Sequence, residues 1–250
     1  ITFDAVVTEI GESAFFKSDK LKSIEIPATV DNIGEMAFQQ CENLDSIVLS
    51  DGLQEIGPNA FMGCVALGSV ALPNTLTVLG DHAFDGCSNL DSVSLGNSLR
   101  TIRENVFRGC SKLSKVNVHD IRTLFNIEYT NNESNPLSKA KRLYLNGKEV
   151  TELVIPEGIT EIPSDVFLGI TSITSISFPS TVTSIAASAF RGCTNLQSIT
   201  IPESIASIGD LAFYGCTSLA TVNFPENVDA IEIGQNVFAN TAWLNNTEND

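Results

Sequence analysis

The sequence predicts a β-rich solenoid, a right-handed stack of 23-residue coils formed by short parallel strands and 3₁₀ turns, with one interrupting β-hairpin. Phenylalanines recur at intervals of 23 residues, and the same two short apolar patterns accompany them. The phenylalanines at this spacing are Phe15, Phe38, Phe61, Phe84 and Phe107, and then Phe167, Phe190 and Phe213. A unit of this size cannot bury its own apolar face, so it stacks on its neighbours.

The first pattern predicts a strand in every coil. It reads Leu-x-x-Ile-x-Leu-Pro, as from Leu67 to Pro73, and its apolar residues alternate with a period of two. Proline closes the strand because it has no N–H to donate to a ladder. Copies stacked about 4.8 Å apart form a parallel row.

The second pattern predicts a shorter strand and a tight turn. It reads Ile-Gly-x-x-Ala-Phe-x-x-Cys, as from Ile56 to Cys64. This stretch is too short for an ordinary α-helix, so we expect a strand at the Ile and then one 3₁₀ turn that carries Ala and Phe inward.

Two glycine positions in this pattern have different meanings. The Gly after the Ile is replaced by Arg103, Pro163 and Ala186 in other coils, so it does not mark an obligatory left-handed residue. Two residues after the Phe, Gly recurs and Asn240 is the late exception. That substitution pattern predicts a left-handed turn, at which each coil changes direction.

The repeat is interrupted once. Residues 119–150 lack the Ala-Phe-x-x-Cys half, and Asn146-Gly147 between alternating apolar residues predicts a hairpin. We interpret residues 1–250 as a single solenoid. Its parts are a first repeat block at 1–118, an interrupting loop and hairpin at 119–150, a second repeat block at 151–244 and a frayed tail at 245–250.

The six cysteines occupy one repeat position, three residues after the Phe. Ser18, Ile170 and Thr241 stand there in other coils. An even spacing indicates a packing position, and a ladder of buried free thiols is favoured over disulfides or a metal site.

Charge and composition exclude several classes of function. The net charge of −16 argues against nucleic-acid binding, which needs a basic face, and against adsorption to anionic membranes. The sequence has no apolar run of 18 residues that would predict direct membrane insertion.

The sequence shows no catalytic, cofactor-binding or metal-binding pattern. His82 and His119 fall in unrelated repeat positions without a metal-ligand partner nearby. No nucleophile elbow, phosphate loop or dinucleotide fingerprint occurs. We therefore predict that the protein is not an enzyme and needs no cofactor.

Two surfaces are candidates for binding a partner. The interrupting segment brings aromatic and cationic side chains to a chain that is poor in both, and such groups supply most of the energy of interfaces. Its candidate residues are Phe125, Tyr129, Lys139, Lys141, Arg142 and Tyr144. The alternative is the flat outer face of the strands, where small hydroxyl residues recur. These are Ser23, Ser46, Ser69, Ser92, Ser175 and Ser198.

The two repeat patterns resemble those of the BspA-type (Treponema pallidum-type) leucine-rich repeat family. The resemblance extends from about Val7 to Leu244, and it implies a leucine-rich-repeat coil stack. Members of the family are typically secreted or surface-anchored proteins of bacteria and some protists, and several are implicated in adhesion.

The resemblance therefore implies an extracellular or cell-surface, adhesin-like scaffold that acts as a monomer. Its partner would be an extracellular-matrix, host or microbial protein, or a glycan. The alternative is a passive spacer or accessory glycan-recognition module of a larger surface protein. The repeat motif fixes no binding residues that could be carried over to this chain.

Overall fold

The computed structural model describes residues 6–131 and 134–247. It divides into two compact units, Ile1–Ala140 and Lys141–Asp250, which we call unit 1 and unit 2. The boundary falls inside the segment that the sequence predicts to interrupt the repeat. The single solenoid over residues 1–250 stays a prediction.

Unit 1 has two rows of parallel strands, one short and one long. The short row consists of β1 Glu9–Ile10, β3 Asn32–Ile33, β5 Glu55–Ile56, β7 Val78–Leu79, β9 Thr101–Ile102 and β11 Glu128–Tyr129. The long row consists of β2 Ser23–Ile26, β4 Ser46–Leu49, β6 Ser69–Ala71, β8 Ser92–Leu95 and β10 Lys115–Val118. Partners in neighbouring strands are 23 residues apart, as Ser69 and Ser92 are.

Unit 2 repeats this arrangement after an antiparallel hairpin. The hairpin consists of β12 Leu143–Leu145 and β13 Lys148–Glu149. The long row consists of β14 Glu152–Val154, β16 Ser175–Ser177, β18 Ser198–Thr200 and β20 Thr221–Asn223. The short row consists of β15 Glu161–Ile162, β17 Ser184–Ile185, β19 Ser207–Ile208 and β21 Glu232–Ile233.

The predicted fold class is confirmed: both units are stacks of coils with 23-residue spacing and parallel strands. The predicted hairpin is also present, and Asn146 and Gly147 have φ values of 51° and 77°, as a type I′ turn requires. In the long strands, buried and exposed residues alternate, so that Ile24 and Ile26 point inward while Ser23 and Glu25 are exposed.

The turn between the two strands differs from a simple 3₁₀ turn. Hydrogen bonds of the expected i to i+3 type occur, as from Gln39 N to Met36 O. However, Met36 and Gln40 have φ values of 55° and 58°, and left-handed residues break a helical turn into successive β-turns. The same segments bond from coil to coil, as Phe38 N donates to Ala60 O at 2.7 Å.

The predicted left-handed position two residues after the Phe is confirmed, since Gly63 has a φ of 74° and Asn240 a φ of 60°. The Gly after the short strand has a different role, as the substitutions there predict. A Cβ on Gly57 would lie 2.9 Å from Ile33 O, and one on Gly80 only 2.6 Å from Pro58 N. Neighbouring coils approach so closely there that a side chain does not fit.

The phenylalanines form a continuous stack inside each unit. In unit 1, Phe61 lies between Phe38, at 5.0 Å between ring centroids, and Phe84, at 5.2 Å. In unit 2, Phe190 lies 5.3 Å from both Phe167 and Phe213. The rings are nearly parallel, so each coil extends the core of the coil before it.

The six cysteines are buried and unpaired, as the even spacing predicts. Each thiol donates to the carbonyl oxygen of the Phe in the preceding coil, as Cys64 Sγ does to Phe38 O at 3.1 Å. The buried thiol is thereby satisfied by a backbone acceptor that the repeat supplies in every coil.

The segment predicted as a loop contains regular structure. In unit 1 it forms α1 Arg122–Phe125, strand β11 and α2 Pro136–Ala140. β11 continues the short row, because Glu128 and Tyr129 pair with Thr101 and Ile102. Only the Phe-bearing turn of this coil is replaced.

The last coil of unit 2 ends in a helix. A 3₁₀ turn at Val228–Ala230 accounts for its two extra residues, and α3 Ala242–Thr247 follows. The Trp243 ring packs against Phe238 at 5.2 Å. Of the predicted frayed tail, residues 245–247 belong to α3, and residues 248–250 lie outside the described part of the chain.

Candidate functional site

The outward residues of the long strands, which we call the strand face, form a flat surface in each unit. In unit 1, Ser23 pairs in register with Ser46, and Ser69 with Ser92. Ser23, Ser46 and Ser69 are exposed, and Val48 beside them is 55% exposed. The face offers hydroxyls and area but no Arg or aromatic anchor at these positions.

The strand face of unit 2 has the same character. Ser175 pairs with Ser198, which is followed in register by Thr221. Val154 is 62% exposed on this face. Since the sheet itself holds these side chains outward, they are open to a partner without any rearrangement.

Three candidate residues of the interrupting segment lie in unit 1, and they are only partly accessible. Phe125 ends α1 and is half-buried, and Lys139 in α2 is partly exposed. Tyr129 takes the inward position of β11, and its hydroxyl is buried without a hydrogen-bond partner. Burial raises the pKa of the Tyr129 hydroxyl, so this group is closed to a partner.

We expect Tyr129→Phe to raise the free energy of unfolding by about 1 kcal/mol, because a buried hydroxyl without a partner costs about this much. Urea titration of the variant would measure the change. Tyr144→Phe is the control, since Tyr144 is half-exposed and its hydroxyl can bond to water. A loss of stability in Tyr129→Phe would show that the hydroxyl has a partner after all.

The other three candidate residues lie in unit 2. Lys141 and Arg142 are exposed and Tyr144 is half-exposed. Arg142 Nε donates to Glu149 Oε1 at 2.8 Å across the hairpin. Lys141 has a φ of 58°, and its carbonyl oxygen accepts a hydrogen bond from Thr171 N at 2.8 Å. This arrangement holds the Lys141 backbone while the side chain extends to solvent.

The cations are concentrated in one part of the chain, which we call the basic segment, residues 100–149. It holds ten of the 14 Lys and Arg residues but five of the 30 Asp and Glu residues. Its net charge is therefore +5 within a chain of −16. The sequence analysis singled out only the later part of this segment, and a charge count for each coil would have revealed its start at Arg100.

Several of these cations are paired with carboxylates. In unit 1, Arg108 Nη2 lies 2.5 Å from Asp85 Oδ2, and Lys115 Nζ lies 3.2 Å from Asp91 Oδ2. Asp85 is 5% exposed and is also bonded to His82 Nδ1 at 2.9 Å. In contrast, Arg103, Lys141 and Lys148 are exposed and have no carboxylate partner in the described part of the chain.

Two further properties of the described residues bear on function. No group of three His, Cys, Asp or Glu side chains is arranged to hold a metal ion. None of the described helices combines the length and the apolar character that crossing a bilayer requires.

Comparison with known proteins gives a family match over nearly the whole chain. A family profile described as BspA type leucine-rich repeat region matches in six copies, over residues 8–135 and 140–249. No curated protein matches significantly.

Several solved structures are similar to the chain. A leucine-rich repeat protein of T. pallidum is 26% identical with a TM-score of 0.45, and the match covers 91% of this chain and 77% of that one. A leucine-rich repeat protein of Bacteroides ovatus is 27% identical with a TM-score of 0.36, covering 96% and 82%. A third, from Eubacterium ventriosum, is 25% identical with a TM-score of 0.46, covering 87% and 57%.

Proposed function

Because the chain belongs to the BspA-type leucine-rich repeat family, we propose that it is a non-enzymatic, adhesin-like scaffold that binds an acidic region of a host or microbial protein outside the cell. Proteins of this type are generally protein-interaction scaffolds. The observation that carries the proposal is the charge contrast between the basic segment and the rest of the chain.

The stacked coils make a rigid support for such binding. Within each unit the core is a row of rings, and the backbone of both strands and turns is bonded from coil to coil. A partner therefore meets side chains that are already held in place, which reduces the entropy lost on binding.

The exposed cations supply the recognition. Lys141 extends from a fixed backbone, and Lys139 precedes it at the end of α2. A local excess of positive charge speeds the encounter with an acidic partner and disfavours basic ones. The strand face adds area around such contacts, while flat Ser and Thr surfaces contribute mostly complementarity.

A binding screen against purified matrix proteins, microbial surface proteins and glycans tests the proposal. We expect an acidic protein to bind, and we expect Lys139→Glu with Lys141→Glu to weaken that binding about tenfold. The control, Lys20→Glu with Lys22→Glu, makes the same change in charge at exposed positions outside the basic segment and should have little effect.

The opposite results would identify the alternatives. If replacing Ser46, Ser69 and Ser92 by Tyr abolishes binding while the lysine variant binds normally, the strand face is the site. If only a glycan binds, or nothing binds, the protein is an accessory glycan-recognition module or a passive spacer.

A further inference from the structure

We propose that the short-strand face of unit 2 holds a second binding site, a groove that takes an extended, lysine- or arginine-rich peptide segment of a partner protein. The groove has a volume of about 530 Å³ and crosses β15, β17, β19 and β21. It differs from the proposed basic site in its unit and in the sign of its charge. Either site can therefore fail its test without affecting the other.

The depth of the groove follows from the repeat. Ala186, Gly209 and Gly234 each come directly after the inward Ile of a short strand, and they form the floor. A Cβ on Gly209 would lie 2.6 Å from Ala187 N, and one on Gly234 would lie 2.6 Å from Asp210 N. The close approach of the coils thus keeps this floor free of side chains.

One row of polar side chains lines the groove. Glu161 is in register with Ser184, Ser184 with Ser207, and Ser207 with Glu232. Both glutamates are exposed, and both serines are half-exposed. Across the described residues, none of these four side chains makes a hydrogen bond or ion pair. Two carboxylates and two hydroxyls are thus available to a ligand.

The charge of the surrounding coils favours a cation. Residues 150–247 contain nine Asp and Glu residues but only one basic residue, Arg191. Arg191 lies over the ring of Tyr214, 5.4 Å from its centroid. A segment rich in lysine or arginine would therefore meet an acidic surface with little competing positive charge.

The spacing of the carboxylates selects the shape of the ligand. Glu161 and Glu232 are three strand steps apart, which is about 14 Å at a strand spacing of about 4.8 Å. At this distance the two cannot share one metal ion. An extended peptide advances about 3.4 Å per residue, so cations at positions i and i+4 would reach both carboxylates. The serine hydroxyls between them would bond to the peptide backbone.

Titration with a fluorescent peptide that contains Lys-Gly-Ser-Gly-Lys tests the site at low salt. We expect Glu161→Gln with Glu232→Gln to weaken binding about tenfold. Glu152→Gln with Glu203→Gln removes the same charge from exposed positions of the same unit outside the groove, and it should change the affinity less than about twofold.

A third variant separates shape from charge. Ala186→Leu should weaken binding as much as the groove variant, because it fills the floor without changing the charge. The equivalent position of unit 1 carries the exposed Arg103, so a long side chain is compatible with this coil. The proposal is overturned if the peptide does not bind or if Ala186→Leu binds normally. It is equally overturned if both glutamate pairs act alike, or if a peptide with adjacent lysines binds as well.

Discussion

Phe61→Ala is expected to lower the free energy of unfolding by about 3–5 kcal/mol, the cost of removing a fully buried ring and leaving a cavity. Phe61 is 0% exposed and has a parallel ring on each side, at 5.0 Å and 5.2 Å. The inter-coil hydrogen bond from Phe61 N to Ala83 O holds the backbone in place. The two neighbouring coils therefore cannot close over the cavity without losing their own pairing.

Phe15→Ala is the matched control in the same repeat position. Phe15 is half-buried and stacks on one described ring, Phe38, at 5.0 Å. Its loss should cost clearly less than the loss of Phe61, because less surface is buried and water can fill the gap. Urea titration of both variants measures the difference. Equal losses would contradict a core in which each ring is stabilised by both neighbours.

The regular parts of the fold could be predicted because each structural position recurs in many coils. The left-handed turn at Gly63 was recognisable because glycine recurs there and Asn240 replaces it. The second left-handed position was not predicted. It is occupied by Met36, His82 and Leu211 among others, with φ values of 55°, 57° and 59°.

These side chains gave no signal because the coil imposes the conformation rather than the residue. At Met36, the N–H donates to Pro58 O of the next coil at 3.0 Å, and this bond offsets the strain of a positive φ at a non-glycine residue. Short helices such as α2, with five residues, were missed for a related reason. They are too short to show a helical period.

The candidate surfaces were predictable only as far as side-chain chemistry shows in the sequence. Lys141 and Arg142 stand out by charge, and both are exposed. Tyr129 has the right chemistry for an anchor, but it occupies the inward position of β11 and its hydroxyl is buried. The groove of unit 2 depends on the register that places Ser184 beside Ser207, which requires coordinates.

The stability of unit 1 is expected to fall steeply at alkaline pH because its thiols are buried. Desolvation raises the pKa of Cys64 and Cys110 to about 12, and it raises the pKa of Cys87 well above its usual value. The unfolded thiols ionise near pH 8.5. Below that pH both states keep the proton, and the full stability is present. Above it the unfolded chain loses protons that the folded chain retains, so the free energy of unfolding decreases.

Each such thiol should contribute a slope of up to about 1.4 kcal/mol per pH unit between about pH 9 and its folded pKa. Tyrosines and lysines also ionise in this range, so the informative quantity is the difference between proteins. Cys64→Ala with Cys87→Ala removes two thiols from adjacent coils and should flatten the slope by roughly 2–3 kcal/mol per pH unit. The variant loses two thiol hydrogen bonds to Phe38 O and Phe61 O, which lowers its stability at neutral pH but not its pH dependence. Urea titrations from pH 7.5 to pH 10.5 would measure both curves. Parallel curves would mean that solvent reaches these thiols in the folded protein, which a close-packed cysteine row does not allow.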